Sequence, residues 1–406
     1  MNVGYACQCF TQTIPSFRTC TKRFVSEEKL IDIIAHNLKV LDQILDYNHH
    51  HFIHLFRISS DLVPFGSSPI NTVDWKTMFA KEFQALGEKA RAYDIRLTMH
   101  PGQYTILNTP DPMVWERSVL DLRYHCDILN LMEMDQTSKL ILHIGGIYGD
   151  KQAAMKRFLT SFPKLDEDIQ ARLIIENDDR YYTLEDVCLL SKKLDIPVIF
   201  DNLHHDVLPS FPNQSLDEIL SMVQRTWNKR DGRMKIHYSQ QNPQKRKGAH
   251  ASNLNPTAFL TFCEQIHDRD IDVMLEIKSK NLAALQAIDL LYPERFSPRQ
   301  VWKRYRYLVL SHSISIFTQL EQEHCHMSVD LFYERIYQAL MTPCDDILCY
   351  RFILQEHRTI LTHTQLGKLE QALLRYQKHT LSKQGVHNVF SRVLRALDHE
   401  EDVLFL

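Results

Sequence analysis

The stretch 139–144 reads KLILHI, a short run of branched apolar residues that ends beside a histidine. Residues 172–177 read RLIIEN and repeat this pattern, with a glutamate in place of the histidine. Runs of this length and composition are typical of strands that are buried within a parallel sheet. Six further runs of the same kind lie at 2–6, 54–59, 95–100, 198–202, 234–239 and 272–277.

The segments between these runs have the apolar spacing of amphipathic helices, with apolar positions three or four residues apart. Clear examples are 27–45, 75–93 and 114–134. Strands that alternate with helices pair in parallel through right-handed crossovers, and a count of eight favours closure into a barrel over an open sheet. The sequence therefore predicts an α/β fold, a (β/α)8 TIM barrel.

The pattern changes after Pro293, where only helical periodicity remains, as in 299–323 and 362–378. We therefore predict two domains, a barrel over 1–290 and an appended all-helical region over 291–406. No activity can be assigned to the helical region from its residues. Docking on the barrel, binding of a protein partner and contact with a nucleic acid all stay open.

Composition narrows the class of protein. The 406 residues are 44 % hydrophobic and 24 % charged, which suits a globular chain with a sizeable core and excludes disordered and fibrous classes. A net charge of -3 excludes a strong overall attraction to nucleic acid. Nine cysteines without a CxxC pair argue against a disulfide framework or a thiolate zinc site. Without a membrane-length apolar run or a signal peptide, we expect a cytoplasmic protein, and we expect it to be a monomer.

Polar residues end or follow most of the predicted strands. They are His100, His143, Glu176, Asp201, His204, His237, His250 and Glu276. Each one alone is explained as a hydrogen-bonded core histidine or a solvated carboxylate. Together they meet at the carboxyl rim of a barrel, where crowded acids and imidazoles require cations. We therefore predict two or three divalent metal ions, since Zn²⁺, Mn²⁺ and Fe²⁺ all accept such mixed ligands.

Basic residues cluster around the seventh predicted strand. Lys235 shares a strand face with His237, and its side chain could reach solvent, contact a phosphate or an anionic intermediate, or be modified into a metal ligand. The surrounding segment 229–247 is strongly basic and predicts a local patch for DNA phosphates, with a solvated surface as the alternative. Its candidate DNA-binding residues are Lys229, Arg230, Lys245, Arg246 and Lys247. A second basic cluster at 299–307 is interleaved with aromatic residues, and an amphipathic helix that packs those aromatics explains it equally well.

Six motifs in this order resemble those of the UV-damage endonucleases. They are FRISSDLVPFGSSP (56–69), TMHPGQY (98–104), LILHIGG (140–146), IIENDD (174–179), IFDNLHH (199–205) and MKIHYS (234–239). The resemblance covers roughly residues 2–277. It implies a (β/α)8 barrel related to the endonuclease IV class. It also implies a DNA repair enzyme that nicks the phosphodiester 5′ to UV photolesions and other helix-distorting damage in duplex DNA by means of metal-activated hydroxide.

The resemblance also implies roles for the rim residues. His100, His143 and Glu176 would hold one ion, while Glu176, Asp201, His237 and Glu276 would hold a second and His204 and His250 would help to hold a third. Manganese is the implied metal, with Zn²⁺ or Mg²⁺ as alternatives.

Three further residues correspond to family positions near the lesion. Gln103 and Tyr104 match the pair that probes the damaged duplex, and Tyr5 matches a nearby tyrosine of the first strand. Lys235 matches a lysine that can be carboxylated, so it is assigned a catalytic role with Glu176 and His237. Cys9 departs from the family because an asparagine is expected there, which puts one contact of the first loop in question.

Two other functions remain open on the residues alone. A metal-dependent sugar isomerase could use the same barrel and ligands, because a fold does not determine a function. A damage-sensing protein that binds DNA without cutting it could hold the metals structurally. The basic patch and the HPGQY segment favour the endonuclease over the isomerase, and the complete ligand set favours it over the sensor.

Overall fold

The computed structural model describes residues 1–11, 13–266 and 269–395. Its central feature is an eight-stranded parallel sheet. The strands are β1 (Asn2–Ala6), β2 (Leu55–Ile58), β3 (Arg96–Met99), β4 (Leu140–His143), β5 (Leu173–Glu176), β6 (Val198–Ile199), β7 (Lys235–Tyr238) and β8 (Asp272–Leu275). Each lies within a predicted run, so all eight predicted strands are confirmed.

The sheet curls into a barrel. β1 pairs in parallel with both β2 and β8, and the pairing continues from β2 through to β6 and from β8 to β7. The two ends of this series meet beside the site residues, where Asp201 and His237 form an isolated parallel bridge and the His237 amide donates to the Phe200 carbonyl at 3.0 Å. The predicted (β/α)8 TIM barrel is confirmed.

Helices surround this barrel in the order expected of alternating strands and helices. They are α1 (Glu27–His50), α2 (Trp75–Met78), α3 (Ala80–Ala92), α4 (Pro112–Leu131), α5 (Lys151–Ser161), α6 (Glu167–Arg172), α7 (Leu184–Leu194), α8 (Asn202–Val207), α9 (Leu216–Gln224), α10 (Pro256–Gln265) and α11 (Asn281–Leu291). Local sequence fixes several starts. Ser26 accepts from the Lys29 amide at the start of α1, and Thr183 and Asp186 form a capping box on α7.

The C-terminal region is helical throughout the part that the structure describes. Its helices are α12 (Pro298–His312), α13 (Ile314–Glu323), α14 (Val329–Leu340), α15 (Asp346–His357), α16 (His363–Gln377) and α17 (Lys383–Arg395). The single helix predicted over 299–323 is wrong, because Ser313 adopts extended backbone and caps a new helix by accepting from the Ile316 amide. Trp302, Tyr305 and Tyr307 are buried, as the amphipathic-helix interpretation expects.

The chain divides into two compact units. The first comprises 1–9, 16–254 and 261–285, and the second comprises 10–15, 255–260 and the residues from 286 onward. The predicted domain boundary at residue 290 stays a prediction, and residues 396–406 of the predicted helical domain lie outside the described part. Among the described helices, none is both long enough and apolar enough to cross a membrane.

Candidate active site

The barrel brings the predicted metal ligands to one rim because parallel strands all point the same way. His143 and Glu176 are the last residues of β4 and β5, while His100 directly follows β3 and His237 lies within β7. Asp201 follows β6 as the N-cap of α8. Its carboxylate accepts from the amide of His204 at 2.8 Å, which places His204 in the first turn beside the rim.

Glu176 lies at the centre of this cluster and is 1 % exposed. Its Oε1 lies 2.7 Å from His237 Nδ1, and its Oε2 lies 3.2 Å from His100 Nε2 and 3.6 Å from His143 Nε2. Burial alone would raise the pKa of this carboxyl, but His237 and His143 hold it well below its usual range. An ionised carboxylate therefore occupies the middle of the rim.

Glu276 forms a second acidic position after β8. Its Oε1 accepts from the Arg57 guanidinium and lies 3.4 Å from His237 Nδ1, while its Oε2 lies 3.7 Å from His250 Nδ1. Burial opposes ionisation, but Arg57 and His237 lower the pKa of this carboxyl. Sequence analysis quoted Arg57 within a motif but assigned it no role. A lone arginine in the apolar run LFRI was a signal that could have been used.

The donors fit a divalent cation. His100, His143 and Glu176 form one group, and Glu176, Asp201 and His237 form another, each with ligand atoms within 4.8 Å of one another. Two buried donors, Asp201 Oδ2 and His143 Nδ1, have no hydrogen-bond partner among the described residues. Buried polar atoms are rarely left unpaired, so an unpaired carboxylate oxygen on a residue grouped with Glu176 and His237 suits a cation.

The third predicted pair is less tightly gathered. The rings of His204 and His250 lie 6.4 Å apart, and His204 Nδ1 lies 3.8 Å from both Glu176 Oε1 and Asp201 Oδ1. Within the described residues, neither histidine belongs to a group of three whose ligand atoms all lie within 4.8 Å of one another. Ligation by these two residues stays a prediction.

Lys235 is fully buried at the start of β7, so the interpretation of a side chain that reaches solvent is wrong. Its ammonium nitrogen has no hydrogen-bond partner within the described part of the chain. Burial, together with the charges of Arg96 and Arg57, lowers the pKa of this lysine well below its usual range. The balance between ammonium and neutral amine is therefore shifted towards the amine, relative to a lysine in water.

The residues predicted to probe the lesion lie in different environments. Gln103 and Tyr104 are exposed in the loop after β3, and 81 % of Tyr104 is accessible to solvent. Tyr5 does not share this surface, because it is 0 % exposed and its hydroxyl donates to Asn48 Oδ1 at 2.9 Å. The prediction that Tyr5 contacts DNA is corrected accordingly: it faces the helical layer at α1.

Helix α4 fastens the loop that carries Tyr104. Thr105 Oγ1 donates to Asp121 Oδ2 at 2.6 Å, and Ser67 Oγ of the preceding loop donates to Asp121 Oδ1 at 2.9 Å. His125 on the same helix lies 2.9 Å from Ser60 Oγ, which in turn lies 3.2 Å from the His100 carbonyl. These half-buried contacts could not be predicted from the sequence, because they join residues from separate segments of the chain.

The predicted basic patch is divided between two ends of the barrel. Lys245, Arg246 and Lys247 are exposed in the loop after β7, at the end where the metal ligands lie. Lys229 and Arg230 precede β7, and Arg230 pairs with Asp195, which precedes β6. These two residues therefore lie at the amino end of the barrel. The single patch expected over 229–247 is corrected, and the direction of the chain through the strand was the signal that could have separated the two groups.

Comparisons with known proteins agree with one another. The family described as UV-endonuclease UvdE matches residues 1–297. The chain is 39 % identical over 363 residues to a UV DNA damage endonuclease of Clostridium perfringens, with 87 % of each chain covered. It is 32 % identical to one of Bacillus mycoides over 281 residues, which cover 68 % of this chain and 87 % of the relative.

A solved structure of a protein named SacUVDE is also similar. It superposes with a TM-score of 0.69 at 36 % identity, covering 72 % of this chain and 99 % of that chain. The similarity to the Clostridium relative continues beyond the family match, because 363 aligned residues exceed the 297 of that match. Part of the C-terminal helical region is therefore shared with that relative.

Proposed function

This chain belongs to the UV-endonuclease UvdE family and is in consequence an endonuclease of DNA repair, and from that premise we propose how and where it cuts. It nicks the phosphodiester backbone 5′ to UV photolesions and other helix-distorting damage in duplex DNA. Two or three divalent ions, with Mn²⁺ as the expected metal, serve as cofactors.

The observation that carries this proposal is the position of Glu176, shared between two groups of metal-ligand type. One group joins its carboxylate with His100 and His143, and the other joins it with Asp201 and His237. Divalent ions bound as such a pair supply a hydroxide nucleophile at neutral pH and stabilise the leaving oxygen of a phosphoryl displacement. His204, His250 and Glu276 complete the proposed ligand set.

The other residues of the rim bind and orient the substrate in this proposal. Tyr104 presents its ring to solvent, where it can stack on a base next to an extruded lesion. Gln103 stands beside it, and the basic loop with Lys245, Arg246 and Lys247 contacts backbone phosphates. Lys235 acts from within the barrel, because a neutral amine can accept a proton or be carboxylated.

A duplex with one cyclobutane dimer and an end-labelled damaged strand tests the proposal. In the presence of Mn²⁺ we expect one product, cut on the 5′ side of the dimer. The same duplex without the dimer and the reaction with EDTA are the controls. An uncut dimer duplex with Mn²⁺, Zn²⁺ or Mg²⁺ would contradict the proposal, as would a cut on the 3′ side.

Two further measurements beside this assay separate the two alternative functions. A damage sensor would shift the dimer duplex in a gel without metal and leave it intact with metal. A sugar isomerase would form a ketose from an aldose and leave the duplex intact.

A further inference from the structure

A cavity of about 760 Å³ opens beside Glu276, at the carboxyl end of the barrel. Its charged and imidazole side chains are Arg57, Lys245, Arg246, His250, Glu276, Lys278 and Lys280. Five of these are cations and one is a carboxylate, and that carboxylate already accepts from Arg57. The cavity therefore carries a positive charge that its own lining does not neutralise.

The four outer cations lack acidic partners. Within the described residues, no carboxylate forms an ion pair with Lys245, Arg246, Lys278 or Lys280. Lys245 and Lys278 come from different loops, yet both line this one cavity. Like charges held close together repel one another unless an anion lies between them.

Backbone hydrogen bonds join the two loops that carry these cations. The loop after β7 folds back on itself, with an antiparallel bridge between Gln241 and His250 and a bond of 2.7 Å from the Asn242 amide to the Ala249 carbonyl. The Lys278 amide donates to the Ala251 carbonyl at 3.1 Å, which joins this loop to the segment after β8. The loops that carry the positive charges are therefore joined before any ligand binds, which lowers the entropic cost of ordering them on binding.

The lining also indicates which part of DNA would enter. It contains lysines, arginines, a histidine, small residues and the paired glutamate, with no phenylalanine, tyrosine or tryptophan among the residues that line it. Bases are usually held by aromatic stacking, whereas phosphate oxygens are held by lysine and arginine. The chemistry favours a phosphodiester group over a nucleobase.

We propose that Lys245, Arg246, Lys278 and Lys280 form a binding site for one backbone phosphodiester next to the one that is cut. Arg57 closes the inner end of this site and joins it to the metal ligands through Glu276. The site fixes the register of the strand across the rim. This inference rests on the proposed function for its ligand, since the anion is taken from the DNA substrate.

The salt dependence of DNA binding tests this site without requiring cleavage. We compare Lys278→Gln with Lys278→Arg, and we use Lys192→Gln on the exposed face of α7 as the matched control. Binding to an undamaged duplex is measured over a range of NaCl concentrations in EDTA. Loss of one phosphate contact lowers the slope of log K against log salt by about 0.9. We expect that change for Lys278→Gln, and we expect the native slope for Lys278→Arg and Lys192→Gln.

A duplex with single uncharged methylphosphonate substitutions locates the contact. One substitution near the cut should weaken binding of the native protein but not of Lys278→Gln. The proposed site would be contradicted if Lys278→Gln and Lys192→Gln had equal salt slopes. It would also be contradicted if each methylphosphonate weakened DNA binding equally in these two variants.

Failure of this inference is distinguishable from failure of the proposed function. If the variants show the expected slopes but the native protein leaves a dimer duplex uncut with metal, the phosphate site is supported and the proposed nicking activity is contradicted. If the native protein cuts the dimer duplex but Lys278→Gln keeps the native slope, the nicking activity is supported and the phosphate site is contradicted.

Discussion

Glu176 is the residue whose replacement should damage the site most. The variant Glu176→Gln keeps the size of the side chain but removes the negative charge that lies between His100, His143 and His237. Loss of a residue that only supports metal ligands costs up to about 100-fold in metal affinity, so loss of a shared ligand should cost at least that much. Titration calorimetry with Mn²⁺ measures the affinity, and the dimer duplex measures nicking.

Glu185→Gln is the matched control, because Glu185 is exposed in the first turn of α7. We expect native metal affinity and native nicking for this variant. Thermal unfolding of the metal-free proteins shows whether Glu176→Gln still folds. A folded Glu176→Gln protein that binds Mn²⁺ as tightly as the control would contradict the assignment of Glu176 as a shared ligand.

The pKa values of Asp201 and His204 predict how metal affinity depends on pH. Burial raises the pKa of Asp201 to about 7. Burial opposes the protonated form of His204, but Asp201 and Glu176 together raise its pKa to about 9. Each group must lose its proton before it can bind a cation. Affinity for Mn²⁺ should therefore rise with pH, by about tenfold per pH unit for each proton displaced.

Calorimetry in two buffers with different ionisation enthalpies counts the protons that Mn²⁺ releases. We expect net release at pH 7 and smaller release above pH 9, where both groups are already deprotonated. His363→Gln is a control for histidine content, since His363 is exposed at the start of α16. An affinity for Mn²⁺ that stays constant from about pH 6 to about pH 9 would contradict this prediction.

Among single residues, those that end strands could be predicted from the sequence. Those that contact the strand-end residues in the folded chain could not. His143 and Glu176 could be found because a polar residue at the end of an apolar run is conspicuous. Arg57, Lys278 and Lys280 were missed, because a charge near a strand does not reveal what it will face. Tyr5 was misplaced because a strand residue has two faces, and the resemblance does not state which face this chain presents.

At the scale of elements, Asp121 of α4 holds the loop that carries Tyr104, and we call its two side-chain hydrogen bonds to Thr105 and Ser67 the clamp. Both of its carboxylate oxygens accept hydroxyl protons, from Thr105 and Ser67. In Asp121→Asn the amide nitrogen cannot accept, so one of the two bonds is lost and the free energy of unfolding should fall by about 1–3 kcal/mol. The loop should hold Tyr104 less firmly, and we expect a smaller preference for the dimer duplex over undamaged duplex.

Asp127→Asn is the control on the same helix, because Asp127 pairs with Lys76 and not with this loop. Nicking rates on damaged and undamaged duplex give the preference. Metal content is measured in parallel, because a native metal content shows that the change disturbed the Tyr104 loop and not metal binding at the nearby His100. If Asp121→Asn keeps the native preference, the clamp does not position Tyr104.

Chain direction is the rule that decides which elements reach the site. A segment that follows a parallel strand lies at the carboxyl rim, and a segment that precedes it lies at the opposite rim. This rule separates Lys229 and Arg230 from Lys245 and Arg246, although all four flank β7. Distance along the sequence was therefore a poor guide to the basic surface, while strand order was a good one.

At the scale of the whole molecule, periodicity predicted the barrel because each of its elements is short and repeats one pattern. Closure could be inferred only from the count of eight, and in the structure it depends on Asp201 and His237 at the join. The helical region was recognised as helical, but its break at Ser313 was missed, since serine caps a helix only when the backbone around it is extended. Its role stays open.

The helical region has a hydrophobic core of its own, which predicts separate unfolding. Phe390 of α17 is fully buried, and its ring lies 4.4 Å from the ring of Tyr350 of α15. The cluster around them is drawn from α12 and α15 to α17, together with Leu361 between α15 and α16. Replacing a buried phenylalanine by alanine costs about 3–5 kcal/mol. In Phe390→Ala we expect that cost to fall on the helical unit.

Hydrogen exchange on the full chain measures this effect in each unit separately, because local unfolding exposes only the amides of the unit that opens. Amides of α15 to α17 should exchange faster in Phe390→Ala, while amides of β1 to β8 should keep their native protection. Leu374→Ala is the control within α16, since Leu374 is 49 % exposed and its loss should change neither unit. If the strands of the barrel lose protection to the same extent as the helices, the two units unfold as one, and the helical region is then part of what stabilises the nuclease site.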